Sequence, residues 1–209
     1  NPLPMYFNYG GKNYQFQGGD AIYEDINHDG NIDELDIVYL GTSNPKLNGG
    51  FGLEFKYDRW TLKTNFNFRV GNKIINLARL NAESMLSNKN QSQAVSHRWR
   101  KNGQVTTMPR AINQAVTASF NSLVSDRYVE PGDFLRFQYF QLSYSVKPDK
   151  LKKLGLSSLN IAASGNNLIF WSRYSGVDPE HSCGGMNPCI DNSQTPRSRS
   201  FTFSLNFGF

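Results

Sequence analysis

The most constraining feature of the sequence is the strict alternation of large apolar and small polar residues over positions 200–209. The apolar positions are Phe201, Phe203, Leu205, Phe207 and Phe209. A period of two residues places such a row on one face of a β-strand. A tilted strand needs about 9–11 residues to cross a bilayer, which this segment also supplies. The segment therefore predicts a strand whose apolar face is either half-buried in a soluble β-sandwich or lies against lipid in a membrane barrel.

The same period recurs elsewhere in the chain, which predicts an all-β fold. Further strands are expected over residues 51–57, 60–70, 134–146 and 158–170, with a two-residue turn at Asp58 and Arg59. Residues 1–17 are expected to form an additional, less distinctive β segment, and residues 73–86 a helix. Five strands, and a sixth from the first residues, are thus predicted.

Composition excludes several classes of protein. Aromatic residues make up 13% of the 209 residues, whereas disordered chains are poor in them. The mean hydropathy is -0.53 and the sequence contains no run of 18 apolar residues, so we expect no transmembrane helix. The net charge is +5, but no block of five consecutive Lys or Arg residues occurs, so no nucleic-acid partner is predicted.

The predicted connections alternate between short and long. A loop of about sixty residues is unusual inside a compact soluble domain but ordinary in an outer-membrane barrel, where short turns face the periplasm and long loops face outside. If the last residue is periplasmic, all short connections fall on one side and all long ones on the other. The predicted extracellular segments are residues 19–50, 71–132 and 173–199. The predicted periplasmic turns are residues 58–59 and 147–157.

One segment, residues 25–36, fits the template of an EF-hand calcium loop. The template positions 1, 3, 5, 7, 9 and 12 are filled by Asp25, Asn27, Asp29, Asn31, Asp33 and Asp36. Gly30 occupies the sharp turn, and Ile32 the apolar position 8. Calcium takes six to eight oxygen ligands, which one loop with this spacing can supply; Asn31 would contribute its backbone carbonyl. The sequence therefore predicts a structural calcium site, weakened by an Asp where Glu is usual; the alternative is a turn held by its own Asx hydrogen bonds.

No catalytic residues are predicted, and the chain is not expected to be an enzyme. The three histidines are scattered, and the motifs of metalloproteases, serine hydrolases and P-loop enzymes are missing from the sequence. The two cysteines, Cys183 and Cys189, lie six positions apart. They form a local disulfide if the compartment is oxidising, or remain two unpaired thiols; a zinc site would need more ligands than the neighbouring His181 offers.

Five motifs in order carry a resemblance to a known family. They are GDAIYEDINHDGNIDELD, NPKLNGGFGLEFKY, SDRYVEPGDFLRFQYFQLSYSV, LGLSSLNIAASGNNLIFWSRYSGVDPE and PRSRSFTFSLNFGF. From about Gly19 onward the chain resembles the C-terminal part of a SusC/RagA-like TonB-dependent outer-membrane transporter of Bacteroidota. The cysteine-containing segment is not a feature that we associate with this family.

The resemblance implies the C-terminal strands of a 22-stranded transmembrane barrel. It also implies an outer-membrane location, surrounding lipid, a SusD-like surface lipoprotein as lid, the TonB complex as energy source, and glycans or peptides as substrates. Five or six strands leave unpaired edges that lipid cannot satisfy, so we expect the chain to be part of a larger polypeptide. Two alternatives remain: a soluble calcium-stabilised β-sandwich that binds carbohydrate, and a surface adhesin. Substrate-binding residues are not predicted.

Overall fold

The structure is a computed structural model that describes residues 4–9, 12–86, 88, 90–112, 118–151, 155–180 and 189–209. The protein is mostly β-sheet with little helix, which confirms the all-β expectation in this general form. The strands are β1 (Tyr6–Tyr9), β2 (Lys12–Gln15), β3 (Asn31–Ile32), β4 (Leu47–Tyr57), β5 (Trp60–Val70), β6 (Lys73–Asn76), β7 (Val129–Pro131), β8 (Phe134–Ser145), β9 (Ser158–Ser172), β10 (Ile190–Asp191) and β11 (Ser200–Gly208). The α-helices are α1 (Leu77–Glu83) and α2 (Pro148–Leu151). Short 3-10 helices are Glu34–Asp36, Gln93–His97, Ala118–Ser122 and Asp126–Tyr128.

The chain divides into two compact units. Unit 1 comprises residues 1–41, 75–129 and 191–193, and unit 2 comprises residues 42–74, 130–190 and 194–209. Each unit is therefore built from segments that are distant in the sequence. None of the helices that the structure describes is long and apolar enough to cross a membrane.

Unit 2 contains a five-stranded antiparallel sheet in the order β11-β9-β8-β5-β4. All four main strand segments expected between residues 51 and 170 are present, and β11 coincides with the alternating segment at the end of the chain. β11 pairs with β9 in an antiparallel ladder, with Leu205 opposite Ile161 and Ser204 opposite Ala162. The sheet is open among the described strands, since β11 and β4 each have one neighbour.

The two rows of β11 differ sharply in character. The side chains of Phe201, Phe203 and Phe207 are 72%, 69% and 54% exposed, although each is among the most apolar residue types. In the opposite, polar row, Thr202 and Asn206 are exposed and Ser204 is partly exposed, opposite the buried Ala162. Unit 2 therefore presents an apolar row on one face of its edge strand.

A β-bulge in β8 explains why its sequence alternates in two halves that are out of phase. Gln138 is skipped in the pairing of β8 with β5, where Phe137 lies opposite Phe66 and Phe140 opposite Thr64. Odd-numbered residues before the bulge and even-numbered residues after it consequently share one face. On this face the rings of Phe51, Phe66 and Phe137 stack across three strands, with centroids 5.1 and 4.7 Å apart.

The hairpin between β4 and β5 turns at Asp58 and Arg59, as predicted. Asp58 has a φ of 50°, a left-handed conformation that Asp tolerates better than most residues. Next to this turn, the rings of Trp60 and Tyr144 pack at a centroid distance of 4.7 Å. The expected turn after β8 contains helix α2, and residues 152–154 lie outside the described residues.

Unit 1 contains a small sheet in the order β2-β1-β3, so the first residues form two strands where one β segment was expected. β1 runs parallel to β3, with Phe7 opposite Ile32. Phe7, Ile32 and Phe120 form a buried cluster, in which the rings of Phe7 and Phe120 lie 4.4 Å apart. The helix expected over residues 73–86 is shorter: its first four residues form β6, and α1 begins at Leu77, where the Asn76 side chain accepts a hydrogen bond from the N–H of Arg79.

Candidate functional site

The Asp-rich loop of unit 1 is closed by hydrogen bonds from its own backbone. The carboxylate of Asp25 accepts from the N–H of Gly30 at 2.8 Å and from that of Asp29 at 3.3 Å. Gly30 has a φ of 84°, which a glycine adopts without strain. The first position of the predicted calcium loop thus already determines where the chain turns.

The residue at the last position of the loop is hydrogen-bonded to the backbone near its beginning. Asp36 Oδ1 accepts from the N–H of Ile26 at 2.8 Å, and its Oδ2 accepts from the N–H of Asp33 at 2.9 Å. Asp33 in turn accepts from the N–H of Leu35, which completes a capping box at the 3-10 helix Glu34–Asp36. Asp36, which is shorter than the Glu usual at this position, therefore closes the loop by accepting hydrogen bonds from two backbone N–H groups.

The middle positions are polar and exposed. Asn31 donates its N–H to Asp29 Oδ1 at 2.8 Å, and this bond lowers the pKa of Asp29 below its ordinary value. Asn27 donates its side-chain N–H to Asp29 Oδ2 at 3.0 Å. Asp29 therefore carries its negative charge over a wide pH range, as a calcium ligand would need to.

The loop contains the kinds of ligand that calcium binds, but its carboxylate oxygens accept hydrogen bonds from backbone N–H groups in this structure. Four carboxylates, the Asn27 side chain and the backbone carbonyl of Asn31 are the hard oxygen ligands that calcium prefers. In the part of the chain that the structure describes, however, no three His, Cys, Asp or Glu side chains converge closely enough to hold a metal ion. The calcium site stays a prediction. Ile32, at the apolar position of the loop, anchors it by packing against Phe7.

A second cluster in unit 1 joins residues that are about ninety positions apart. Asp20 has a nearly fully buried side chain, and its Oδ1 accepts from Arg110 Nε at 2.7 Å. The other oxygen accepts from the Tyr14 hydroxyl at 2.9 Å and from the N–H of Gln17 at 2.8 Å, and Asn121 also donates to Oδ1. Burial alone raises the pKa of Asp20, but these donors outweigh it and lower the pKa below its ordinary value.

A third cluster surrounds the buried carboxylate of Glu83. Arg79 Nε donates to it at 2.9 Å, and Arg127 Nη2 donates to it at 2.9 Å. Both guanidinium groups also lie within 6 Å of the ring centroid of Tyr128. Two cations thus neutralise one buried anion and share one aromatic ring.

A groove of about 920 Å³ lies in unit 1 beside these clusters. It is lined by residues from four segments, namely 19–24, 36–38 with 40, 104–109, and 121 with 123–128, and it also contacts Trp99 and part of the Asp-rich loop. Tyr23 lines it, and burial raises the pKa of this hydroxyl to about 12. We call this feature the unit-1 groove. Sequence reasoning missed it because its walls come from four separate segments.

In unit 2, an ion-pair network fixes the segment after β9. Arg136 lies on β8 and is almost fully buried; it bonds Asp178 and reaches Glu180 Oε2 at 2.8 Å through its Nε. Arg197 Nη2 lies 3.1 Å from the other oxygen of Glu180. Glu130 accepts two hydrogen bonds from Ser175, at 2.7 and 2.8 Å. Residues 173–180 are therefore held by charged side chains of unit 2.

The expected cysteine pair is described only in part. Cys189 is 1% exposed, and its Sγ lies 3.3 Å from the carbonyl oxygen of Ser43. Cys183 and its neighbour His181 fall outside the described residues. The pairing of Cys183 with Cys189 stays a prediction.

The sequence is similar to several curated TonB-dependent receptors of Formosa agariphila. It is 30% identical to TonB-dependent receptor P39 over 94% of this chain, and 29% identical to receptor P26 over 91% of it. Receptor P3 is 26% identical over 91% of the chain. The chain spans about a fifth of the length of these relatives. No family model matches the sequence.

The fold is similar to that of solved transporter structures. The RagAB peptide importer in its closed-closed state matches 99% of this chain with a TM-score of 0.71, at 20% identity and over 22% of that chain. A second structure of the RagAB peptide transporter matches 81% of this chain with a TM-score of 0.68, at 20% identity and over 18% of that chain. The resemblance expected from the five motifs is confirmed, and with it the outer-membrane location that is typical of such receptors in Bacteroidota.

Proposed function

Because the chain is similar over more than nine-tenths of its length to TonB-dependent receptors, we propose that it forms strands and extracellular loops of an outer-membrane transporter. The observation that carries this proposal is the exposed apolar row of β11, three of whose phenylalanines are 54–72% exposed. A monomeric protein in water rarely leaves a contiguous apolar row uncovered. Lipid would cover it, with the polar row facing the lumen.

The open edges of the sheet support a larger barrel. β4 and β11 each lack a second neighbour among the described strands, and unpaired backbone groups are costly in lipid. Neighbouring strands of a longer polypeptide would complete the ladder on both sides. The proposed barrel has 22 strands, and the five-stranded sheet of this chain would be part of it.

The proposed activity is uptake of glycans or peptides, powered by the TonB complex and assisted by a SusD-like surface lipoprotein. The likeness to the RagAB peptide importer supports this assignment through the fold. The clustered residues of unit 1 and the segment fixed by Arg136 would lie in the extracellular loops. We propose no catalytic role for them, because their ion pairs are mutually satisfied.

A structural calcium ion in the loop of residues 25–36 is part of the proposal. Binding would replace backbone donors around Asp25 and Asp36 by a divalent cation, which the depressed pKa of Asp29 favours. Extracellular calcium modules bind at about 10⁻⁴–10⁻³ M. The site would therefore fill in a calcium-containing medium.

The transport proposal is tested in cells that express the protein with its natural neighbours. A deletion strain and a strain without functional TonB should both lose uptake of the same labelled oligosaccharide or peptide, and the protein should fractionate with the outer membrane. Uptake that persists in both strains for every substrate tested would contradict transport. A protein that is monodisperse in buffer without detergent would contradict the barrel.

A further inference from the structure

The unit-1 groove is surrounded by apolar side chains that nothing in the described structure covers. Ile22, Ile37 and Val105 belong to three different walls and are 95%, 78% and 98% exposed. Single exposed apolar residues are ordinary, but several around one concave surface mark an interaction site. The groove volume is in the range that protein pockets use for ligands of a few residues.

The backbone of one wall is free to pair with another strand. Residues 38–40 are not part of any strand, and within the described part of the chain their N–H and C=O groups have no hydrogen-bond partner. Residues 22–24, on another wall, also have no backbone hydrogen-bond partner among the described residues. Backbone with unpaired polar groups beside apolar side chains is a surface to which proteins can add a strand from a partner.

The negative charge of the groove indicates that its partner carries positively charged side chains. Glu24 and Asp126 line it, and neither has an ion-pair partner among the described residues. The only cation among the lining residues is Arg127, whose guanidinium already bonds Glu83 and the carbonyl of Thr107. The groove is therefore electronegative and would attract Lys or Arg while repelling an acidic segment.

We propose that the unit-1 groove binds an extended segment of another protein that carries apolar residues and at least one Lys or Arg. The segment pairs its backbone with residues 38–40, places its apolar side chains beside Ile22, Ile37 and Val105, and directs its cation to Glu24 or Asp126. This proposal rests on the walls of the groove and does not depend on the transport function; Asp33 and Asp36, which also line the groove, belong to the predicted calcium loop, so the binding experiments are done without added calcium.

The chemistry can be tested with short synthetic probes. The first is a capped hexapeptide of alternating Val and Lys, and its binding to the full chain is measured by isothermal titration calorimetry. Three matched probes replace Lys by Glu, replace Val by Ser, or add an N-methyl group to every second residue. We expect each matched probe to bind at least tenfold more weakly, because it loses charge complementarity, apolar contact or main-chain pairing.

Matched variants of the protein locate the binding site. Val105→Ser should weaken binding of the Val-Lys probe at least fivefold, whereas Leu35→Ser should not, since Leu35 is 69% exposed but does not line the groove. Glu24→Gln should weaken binding and reduce its salt dependence, whereas Glu34→Gln, outside the groove, should change neither.

Several outcomes would overturn the proposal. No measurable binding of the Val-Lys probe would refute it, as would equal binding of the Val-Glu probe. Equal binding of the Ser-Lys probe would show that the groove binds cations without apolar contacts, as any anionic surface does, and would contradict the proposal. Equal effects of Val105→Ser and Leu35→Ser would show that the probe binds elsewhere.

Discussion

Removing Arg110 should loosen unit 1 more than removing the charge of its partner Asp20. The Asp20 side chain is 2% exposed and Arg110 is 27% exposed, so the two variants leave different groups behind. Arg110→Ala leaves a buried carboxylate with only Tyr14, Asn121 and one backbone N–H as donors. Asp20→Asn leaves a guanidinium that water can reach.

The expected loss of stability in each variant follows from this difference in burial between Asp20 and Arg110. Breaking a buried ion pair by removing one partner costs about 3–5 kcal/mol. Three remaining donors keep the cost of Arg110→Ala near the lower end, at about 3 kcal/mol of local opening free energy. Asp20→Asn should cost about 2 kcal/mol, since the amide oxygen still accepts hydrogen bonds on one side, whereas the amide nitrogen on the other side faces donors that have lost their acceptor. Arg100→Ala, at an exposed arginine of the same unit, should stay within about 0.5 kcal/mol.

The pH dependence has a defined sign. The pKa of Asp20 is depressed in the folded protein, so its contribution to stability is complete above its unfolded value of about 3.9 and is lost as pH falls through the folded value. Arg110→Ala removes the strongest donor while burial remains. The pKa of Asp20 should therefore rise toward its unfolded value, so the share of the stability of unit 1 that acid removes should be smaller in Arg110→Ala, although this variant opens more easily at neutral pH.

Amide hydrogen exchange measures this opening directly. The amides of Gln17 and Arg110 are suitable reporters, because the first donates to Asp20 and the second donates to the carbonyl of Gly19 at 2.7 Å. Limited proteolysis over a range of acidic pH follows how much stability acid removes. Equal effects of Arg110→Ala and Asp20→Asn, or an unchanged loss of stability in acid in Arg110→Ala, would refute the assignment of Asp20 as a buried, ion-paired carboxylate.

Two further predictions concern the sheet and the loop. Leu205→Arg should cost about 2–4 kcal/mol if Leu205 lies near the bilayer midplane, and Ser204→Arg much less, as measured by urea titration of the folded protein in lipid vesicles; equal costs would contradict the face assignment. Asp25→Ala combined with Asp29→Ala should abolish calcium seen by elemental analysis and leave membrane insertion intact; a wild-type protein without calcium at saturating concentration would refute the site.

Strands with an uninterrupted period were predictable from the sequence, because a period of two needs only local information. β11 and the β4–β5 hairpin are the clearest cases. β8 was harder to interpret, since the bulge at Gln138 moves its apolar residues from odd to even positions. The bulge depends on pairing with β5, which no local pattern encodes.

The polar clusters could not be predicted in the same way. Asp20 lies 90 residues from Arg110, and Glu83 lies 44 residues from Arg127, so neither pair has a spacing that a helix or a strand would impose. The loop at residues 25–36 was recognisable because all its partners lie within one segment. Its hydrogen bonds link the first and last template positions with the turn at Gly30, but whether calcium joins them stays a prediction.

The central claim is that one face of β11 contacts lipid in an outer-membrane barrel. The most direct measurement places a photo-crosslinking amino acid at Phe203 or Leu205, and separately at Thr202 or Ser204, in the protein as it resides in the outer membrane of living cells. We predict lipid adducts from positions 203 and 205, and adducts only to protein from positions 202 and 204. Lipid adducts of equal yield from both rows, or from positions 202 and 204 alone, would contradict the claim.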